Sequence, residues 1–310
     1  MSDKWTADQI PDQHGRTAVV TGANSGLGLV TARELARKGA SVTLAVRNVP
    51  KGEDAATQIR RAAPDADVTV QKLDLGDLAS VREFAERRAG EGLDLLINNA
   101  GVMAPPRRET ADGFELQIGT NHLGHFALTG LLLPSLEGRE DARVVTLSSG
   151  AHRIGSISFD NLQRTHGYFR WTAYGQSKLA NLLFALELDR RLRSAGSSVK
   201  SLSAHPGYAA TNLQSAAAPL VDRWVMKASN LVVAQSAEMG ALPSLYAATE
   251  PGLEGGLFIG PDGLAEQRGH PHIVAPGKAA RDLDTARRLW EVSEELTGVT
   301  IDPAALTRSA

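Results

Sequence analysis

The sequence contains no cysteine. Disulfide bonds, cysteine nucleophiles and cysteine-ligated zinc sites are therefore excluded, and any catalytic acid, base or nucleophile must be another residue type. An excess of charge of one sign is also lacking, because 33 Lys and Arg residues face 35 Asp and Glu residues, a formal net charge of -2. Such a balance provides no bulk attraction to nucleic acid or to a membrane surface, so we expect neither as a partner.

Long apolar runs are missing as well. No segment approaches the roughly 18 apolar residues of a membrane-spanning helix. The first fifteen residues, MSDKWTADQIPDQHG, have no basic segment followed by an apolar one. We therefore expect a cytoplasmic protein without a stable membrane anchor. Internal repeats, low-complexity tracts and long Pro/Gly/Ser linkers are absent, so the sequence offers no start for a second domain within residues 1–310.

From residue 17 onward, short β-branched runs alternate with longer segments of helical period. This alternation is typical of a parallel sheet covered by helices on both faces. We predict a single α/β domain of the Rossmann type, doubly wound, with about seven parallel strands. The strands read TAVVT, SVTLAV, VTVQKL, DLLIN, RVVTLS, SVKSLSA and GLFIG. The helical segments begin near Gly26, Val49, Asp77, Thr120, Thr172 and Gln235, with Asp77 and Thr172 as predicted N-caps.

Three connections are longer or more irregular than this fold needs: residues 149–172, 210–231 and 260–278. Long connections in compact domains tend to be functional, so we predict that these three form walls of an active site. We expect a substrate lid at 210–231 and a C-terminal extension at 260–310. The lid segment carries apolar residues that favour a lipophilic substrate, although a helix packed on the core would show the same spacing. These residues are Leu213, Leu220, Val221, Trp224, Val225 and Met226.

A glycine-rich loop joins the first strand to the first helical segment. Glycines there allow the backbone to turn tightly and to approach a pyrophosphate, whose charge is attracted by the free amides at the start of the helix. A plain turn is the alternative, and the strand and helix on either side favour the cofactor site. The candidate residues are Gly22, Asn24, Ser25, Gly26, Leu27 and Gly28.

Arg47 follows the second strand, where an NAD-binding domain would offer an acidic group to the ribose 2′-hydroxyl. A guanidinium can instead pair with a 2′-phosphate through charge-assisted hydrogen bonds. The sequence therefore predicts NADP(H) as the cofactor rather than NAD(H). The alternative is that Arg47 is an ordinary surface arginine.

Polar residues also end the later strands. Asp74 could accept a hydrogen bond from an adenine amino group, or it could cap the helix that follows. Asn98 begins the sequence NNAG at the end of the fourth strand, where either a ligand or a plain turn would explain it. Thr211 could bond the nicotinamide carboxamide or cap a helix.

The catalytic residues are predicted at the carboxyl end of the fifth strand and at the start of the helix after it. Ser149 ends the strand, and Tyr174 and Lys178 share one face of a helix because they are four residues apart. Lowering a phenol pKa of about 10 by ~3 units requires roughly 4 kcal/mol, which a lysine and a cationic nicotinamide could supply together. Tyr174 would then exchange a proton with an alcohol or carbonyl whose oxygen Ser149 also bonds. Asn121 lies in an apolar helical run, where a polar side chain needs a partner. A role in the site and a purely structural interhelical hydrogen bond explain it equally well.

Together these motifs resemble the short-chain dehydrogenases/reductases over roughly residues 15–260. The residues that carry the resemblance are TGANSGLG, Asp74, NNAG, Asn121, Ser149, Tyr174-x-x-x-Lys178 and PGYAAT. The segments TARELARKGA, SSGAH, AYGQSKLANLLF and SAHPG resemble the retinol-dehydrogenase-like branch. The resemblance implies an oxidoreductase for carbonyl or alcohol substrates, with retinoids as one class among lipophilic aldehydes, ketones and secondary alcohols.

The resemblance also implies roles for individual residues. It implies Asn121, Ser149, Tyr174 and Lys178 as a catalytic tetrad, in which Asn121 helps to hold a water that links the lysine to solvent. It implies cofactor contacts, to which we add the neighbours of the matching residues. The contacts are Gly22, Asn24, Ser25, Gly26, Leu27, Gly28, Arg47, Asp74, Leu75, Asn98, Ala100, Gly101, Tyr174, Lys178, Pro206, Gly207 and Thr211.

Other functions fit the sequence less well. His122 and His125 lie three residues apart and His270 and His272 lie close together, but no carboxylates accompany them at a recognisable spacing, so we expect no metal. A catalytically silent NADP(H)-binding sensor is the alternative function, and it has no need for Ser149, Tyr174 and Lys178 together. A homo-oligomer remains open, as do the substrate and the preferred direction of the reaction.

Overall fold

The computed structural model describes residues 4–207 and 235–307. In these ranges eight strands form one sheet, in the order β3-β2-β1-β4-β5-β6-β7-β8. The strands are β1 (Thr17–Thr21), β2 (Ser41–Val46), β3 (Val68–Lys72), β4 (Leu95–Asn98), β5 (Arg143–Leu147), β6 (Lys200–Ala204), β7 (Phe258–Pro261) and β8 (Pro271–Ile273). Neighbours from β3 to β7 are parallel. The predicted doubly wound α/β fold is confirmed.

The eighth strand is the addition to the prediction. β8 pairs antiparallel with β7 at the edge of the sheet, and it lies inside the Gly/Pro-rich segment 260–278. Its three residues, Pro271, His272 and Ile273, are too few to show an alternating pattern. Pairing with β7, rather than local sequence, makes this segment a strand.

The helices largely begin where the periodicity predicts them, and Asp77 caps the third one by accepting hydrogen bonds from the backbone amides of Ala79 and Ser80. Thr172 is not a cap, because the helix starts earlier, at Arg170, and the Thr172 hydroxyl donates back to the carbonyl of Phe169. The helices are α1 (Gly26–Arg37), α2 (Val49–Ala62), α3 (Leu78–Arg87), α4 (Leu116–Ile118), α5 (Gly124–Leu136), α6 (Arg170–Ser194), α7 (Ala237–Thr249), α8 (Leu283–Thr297) and α9 (Pro303–Thr307). A π-helical turn, Gly119–Leu123, joins α4 to α5 at the start expected near Thr120.

Alternation along the strands separates two apolar layers. In β1, Ala18 and Val20 face the layer that packs against α1, α2 and α7, whereas Val19 faces the layer of α3, α5, α6 and α8. Successive side chains of a strand point to opposite faces of a sheet, so fully apolar strands bury both sides. Phe126, Phe184 and Trp290 form the aromatic centre of the second layer.

The order of the strands places the site. From β1 to β3 each new strand is added on one side of the sheet, and from β4 onward on the other side. In open α/β sheets ligands bind beside such a switch point, at the carboxyl ends of the strands. The expected lid at 210–231, with its apolar residues and Thr211, lies outside the described residues. Within the ranges that are described, none of the helices combines the length and apolarity needed to cross a membrane.

Candidate active site

A cavity of about 430 Å³ opens at the carboxyl ends of the first strands, and we call it the glycine-loop cavity. It brings together segments that the sequence analysis proposed separately as cofactor contacts. Its lining comprises Gly22, Asn24, Ser25, Gly26, Leu27, Gly28, Ala45, Arg47, Asn48, Lys51, Leu73, Asp74, Leu75, Asn99, Ala100, Gly101, Val102 and Thr120. The sequence analysis did not select Ala45, Asn48, Lys51, Leu73, Asn99, Val102 or Thr120.

Two features of the glycine loop require glycine. Gly22 and Gly26 adopt left-handed backbone conformations, with φ of +67° and +57°. A Cβ atom on Gly28 would lie 2.4 Å from Asn99 Nδ2 and 2.7 Å from the carbonyl oxygen of Gly22. The loop is therefore packed tightly against the turn after β4, and its residues line the cavity.

The turn after β4 is tied to the end of β1. Thr21 Oγ1 accepts hydrogen bonds from the backbone amides of Asn99 and Ala100, both at 2.9 Å, and Asn99 Nδ2 donates to the Thr21 carbonyl at 2.7 Å. These bonds set the distance between the glycine loop and the sequence NNAG. The two segments then form adjoining parts of one cavity wall.

The Asn98 side chain does not contact this cavity, contrary to the prediction. Asn98 is fully buried, and its amide donates to Thr129 Oγ1 at 2.9 Å and to Thr146 Oγ1 at 3.3 Å. Consecutive residues at the end of a strand face opposite sides, so Asn99 lines the cavity when Asn98 faces the core. Strand alternation was the signal that could have distinguished the two asparagines.

Two cations border the cavity beside β2. Arg47 follows the strand directly, and Lys51 lies in the first turn of α2, where its backbone amide donates to the capping Asn48 side chain. Asp74 lines the same cavity while its Oδ1 atom accepts the amide of Gly76 at 2.9 Å. The alternative that Asp74 caps α3 is wrong, because Asp77 is the cap.

A second cavity, of about 270 Å³, contains the predicted acid/base residue, and we call it the tyrosine cavity. Met103 lines it, and the preceding residue, Val102, lines the glycine-loop cavity. The connections 149–172 and 260–278 both contribute walls, as predicted from their length. The lining comprises Met103, Ser149, Gly150, Ala151, Arg153, Trp171, Tyr174, His205, Gly207, Ala265, Glu266 and Gln267.

Ser149 and Tyr174 meet in this cavity. Their side chains are hydrogen-bonded, and Ser149 Oγ also accepts the amide of Ala151 at 3.2 Å. Burial raises the pKa of the Tyr174 phenol above its ordinary value, and the hydrogen bond with Ser149 acts in the opposite direction. The phenol is therefore protonated at neutral pH and can donate a proton.

Lys178 lies one turn beyond Tyr174 on α6, as the spacing predicted. Its Nζ atom is 5.9 Å from the centroid of the Tyr174 ring and donates to the Leu147 carbonyl at 3.1 Å. Burial lowers the pKa of the Lys178 ammonium to about 8. Lys178 is not among the residues that line either cavity, so it would act on the site from behind the tyrosine.

Asn121 lies in the π-helical turn and forms the interhelical contact that was the alternative to a catalytic role. Its amide donates to Ser177 Oγ on α6 at 2.9 Å and to the Val102 carbonyl at 3.0 Å, while Oδ1 accepts the Val102 amide at 2.8 Å. Gly101 is confined beside it, because a Cβ atom there would lie 3.1 Å from Asn121 Oδ1 and 3.6 Å from Lys178 Nζ. The side chain of Asn121 thus holds the loop that separates the two cavities.

The turn after β6 closes the tyrosine cavity. Gly207 has a φ of +64°, and a Cβ atom on it would lie 2.4 Å from the carbonyl oxygen of Gln267. The Pro206 carbonyl accepts a hydrogen bond from the Gln235 side chain. Gly207 lines the cavity, whereas Pro206 is not among the lining residues of either described cavity.

Two histidines, His122 in the π-helical turn and His125 in α5, make packing contacts. Both are buried, and burial lowers the pKa of His122 to about 3 and that of His125 to about 4. His122 bonds Ser293, and His125 lies between Thr21 and the Asn121 carbonyl. In the part of the chain that the structure describes, no three His, Asp or Glu side chains converge as a metal site would require.

Residues 16–220 match the family model described as short chain dehydrogenase. The chain belongs to the short-chain dehydrogenase family. This short-chain dehydrogenase is 44% identical to retinol dehydrogenase 11 of Homo sapiens over 296 residues, covering 95% of this chain and 88% of that protein. Polyprenol dehydrogenase of Mus musculus is 42% identical over 302 residues, covering 93% and 86%. The chain is therefore retinol-dehydrogenase-like, as the sequence motifs predicted.

A solved structure supports the same assignment for the fold. A crystal structure of an uncharacterized protein from Mycobacterium Paratuberculosis matches with a TM-score of 0.81 and 49% sequence identity, covering 96% of this chain and 99% of that one. As a short-chain dehydrogenase, the chain is an oxidoreductase acting on alcohol or carbonyl groups, and members of its family use a nicotinamide dinucleotide.

Proposed function

We propose that this dehydrogenase transfers a hydride between NADP(H) and a lipophilic carbonyl or alcohol, with Tyr174 as general acid and base. The observation that carries the proposal is the hydrogen-bonded Ser149–Tyr174 pair in a cavity that adjoins the glycine-loop cavity. Lys178 lies behind the tyrosine, so a proton donor, an oxygen-orienting hydroxyl and a buried ammonium occupy one end of the site.

The glycine-loop cavity suits a dinucleotide. The first backbone amides of α1 have no partner within the helix, and a pyrophosphate placed there is stabilised by hydrogen bonds and by the helix dipole. Arg47 and Lys51 border the same cavity, and two cations favour a ribose 2′-phosphate over a bare hydroxyl. Asp74 and Leu75 would border the adenine. When bound, a nicotinamide cofactor supplies or accepts the hydride.

The residues of the tyrosine cavity would handle the proton. Ser149 donates to, or accepts from, the substrate oxygen and holds it beside the phenol. During carbonyl reduction the protonated Tyr174 donates its proton to that oxygen, and during alcohol oxidation the phenolate accepts it. The raised pKa of the phenol in the absence of cofactor favours the protonated form that reduction requires. Lys178 stabilises the phenolate that remains.

A lipophilic substrate is supported by two observations. Met103 and Trp171 give the tyrosine cavity apolar walls. The relatives described above include dehydrogenases named for retinol and polyprenol, which are long apolar alcohols. We propose the same substrate class here and leave the individual compound to a screen of aldehydes and ketones with NADPH.

Cofactor preference is the first test. We expect calorimetry to show tighter binding of NADPH than of NADH, and we expect Arg47→Asp to abolish or reverse that preference, because a carboxylate repels the 2′-phosphate. Arg61→Asp is the matched control, since Arg61 is an exposed residue of α2 that does not line the described cavity. Equal affinities of the native protein for the two cofactors would contradict the NADP(H) proposal.

The role of Tyr174 is the second test. Tyr174→Phe removes the hydroxyl and keeps the ring, so we expect nearly complete loss of turnover while the variant still binds NADPH. Tyr246→Phe is the control, because Tyr246 packs on Trp5 away from both cavities. Substantial turnover in Tyr174→Phe would assign the tyrosine a structural role. Absence of turnover in the native protein with every carbonyl would favour the cofactor-binding sensor.

The cytoplasmic location also remains a proposal, and it rests on the sequence alone. Cell fractionation with detection of the native protein would test it.

A further inference from the structure

Glu266 connects two basic side chains in the wall of the tyrosine cavity. Its Oε1 atom accepts a hydrogen bond from Arg153 Nη2 at 2.8 Å, and its Oε2 atom lies 3.1 Å from His205 Nε2. All three residues line the cavity that contains Ser149 and Tyr174. These contacts lower the pKa of the Glu266 carboxyl to about 2, so it is charged at any physiological pH.

The charge of this group of residues follows from the hydrogen bonds. His205 Nδ1 accepts the backbone amide of Gly207 at 3.3 Å, so the ring proton is on Nε2 and is donated to Glu266. The guanidinium of Arg153 is a permanent positive charge, and the Glu266 carboxylate balances it in an ion pair. The Arg153–Glu266 pair therefore adds no net charge to the wall of the cavity.

The segment that carries Glu266 is held in an unusual backbone conformation. Ala265 and Glu266 both have positive φ, 51° and 57°, a region that residues with a Cβ atom rarely adopt. Such a conformation persists only where surrounding contacts impose it, and it concentrates at functional sites. Here it places consecutive side chains of an exposed segment at the cavity wall.

His152 and Phe258 join the segment after Ser149 to the rest of this wall. His152 Nδ1 donates to the Ser149 carbonyl at 2.7 Å, and its Nε2 atom accepts the amide of Gly277 at 3.1 Å. The Phe258 ring packs against both His152 and His205, with centroids 5.3 Å and 5.1 Å away. His205, which contacts both Phe258 and Glu266, thus connects the wall to the segment that carries Ser149.

We propose that Glu266 is a specificity-determining residue, which neutralises Arg153 in the wall of the substrate cavity and so makes the enzyme select uncharged substrates over carboxylates. The inference rests on the proposed carbonyl-reducing function. Without Glu266, the guanidinium would present an unbalanced positive charge to the cavity and attract an anionic substrate. Charges a few ångströms apart in a protein interact strongly enough to change selectivity about tenfold or more.

Matched aldehydes with and without a terminal carboxylate test the proposal. With NADPH, we would compare kcat/KM for hexanal with that for 6-oxohexanoate, and for nonanal with that for 9-oxononanoate. Native enzyme is expected to prefer the neutral aldehyde of each pair. Glu266→Gln, which keeps the shape of the side chain, is expected to raise the carboxylate-to-neutral ratio about tenfold in at least one pair. The double variant Arg153→Gln/Glu266→Gln should restore the native ratio within about threefold.

Two controls separate charge from folding. Glu83→Gln removes an equal charge from a surface pair with Arg87 on α3, and it should leave the ratio unchanged. NADPH affinity should be the same in all variants, which shows that the fold is intact. An unchanged ratio in Glu266→Gln, with native turnover of the neutral aldehydes, would overturn this inference alone. Failure of the native enzyme to reduce either neutral aldehyde would instead count against the proposed function.

Discussion

At the scale of single residues, the buried ammonium of Lys178 has a thermodynamic cost. Its pKa falls from 10.5 to about 8 because burial disfavours the charged form, and the described residues offer it a carbonyl oxygen but no carboxylate partner. A tenfold change in a protonation equilibrium corresponds to about 1.4 kcal/mol. Below pH 8 the lysine is charged in both the folded and the unfolded state, so the folded protein bears a penalty of about 3 kcal/mol at most.

Replacement of this lysine should therefore stabilise the protein without cofactor. We expect Lys178→Met to raise the free energy of unfolding at pH 7 by about 1–3 kcal/mol while abolishing turnover, because Asn181 still donates to the Leu147 carbonyl. Between pH 8 and pH 10.5 the unfolded native chain binds more protons at this position than the folded chain does, so native stability rises with pH. The advantage of the variant should shrink over that range.

Denaturant unfolding of both proteins at pH 7 and pH 10 measures this difference. A variant that is less stable than the native protein at pH 7, by an amount that does not change with pH, would show that the native fold compensates the charge of Lys178.

At the scale of elements, the glycine loop and the turn after β4 depend on each other. Gly28 packs against Asn99 and against the Gly22 carbonyl at distances that leave no room for a side chain. The sequence pattern indicates that glycine is needed near a pyrophosphate, but it does not show that a second loop, about 70 residues later, imposes the same requirement.

Gly28→Ala should consequently disturb both stability and cofactor binding. We expect a loss of about 1–3 kcal/mol in the free energy of unfolding, because the methyl group must displace Asn99 or the loop backbone. NADPH affinity should fall at least tenfold. Gly150→Ala is the control for stability, since a Cβ atom there meets nothing within 4 Å. Native stability together with native NADPH affinity in Gly28→Ala would contradict this account of the packing.

Elements also differ in how well their sequences predict them. β1 and β2 are short runs rich in β-branched residues and α3 has a capping aspartate, so local sequence is sufficient for each. β8 exists because β7 offers an unpaired edge. The helix α6 begins at Arg170 without a side-chain cap, so its start has no capping residue in the sequence to mark it. The π-helical turn at Gly119–Leu123 places Asn121 where it reaches both Val102 and Ser177, which periodicity alone does not indicate.

At the scale of the whole molecule, the sheet order assembles the site from distant parts of the chain. β1, β2 and β4 are neighbours, so the segments that follow them border one cavity. The tyrosine cavity combines the ends of β5 and β6 with the start of α6 and the segment before β8. Each contributing segment could be proposed from its own residues, because carboxyl ends of parallel strands share one edge.

The sequence by itself determined the doubly wound α/β fold and the family, and it singled out Ser149, Tyr174 and Lys178 as candidates, because these depend on local periodicity and on spacings within one helix or at strand ends. Tertiary structure alone decided which asparagine, Asn98 or Asn99, faces the cavity, and that both Arg47 and Lys51 line it. It also placed Glu266 between Arg153 and His205. Such contacts join segments up to 113 residues apart, and their geometry is set by packing and hydrogen bonding that no local pattern encodes.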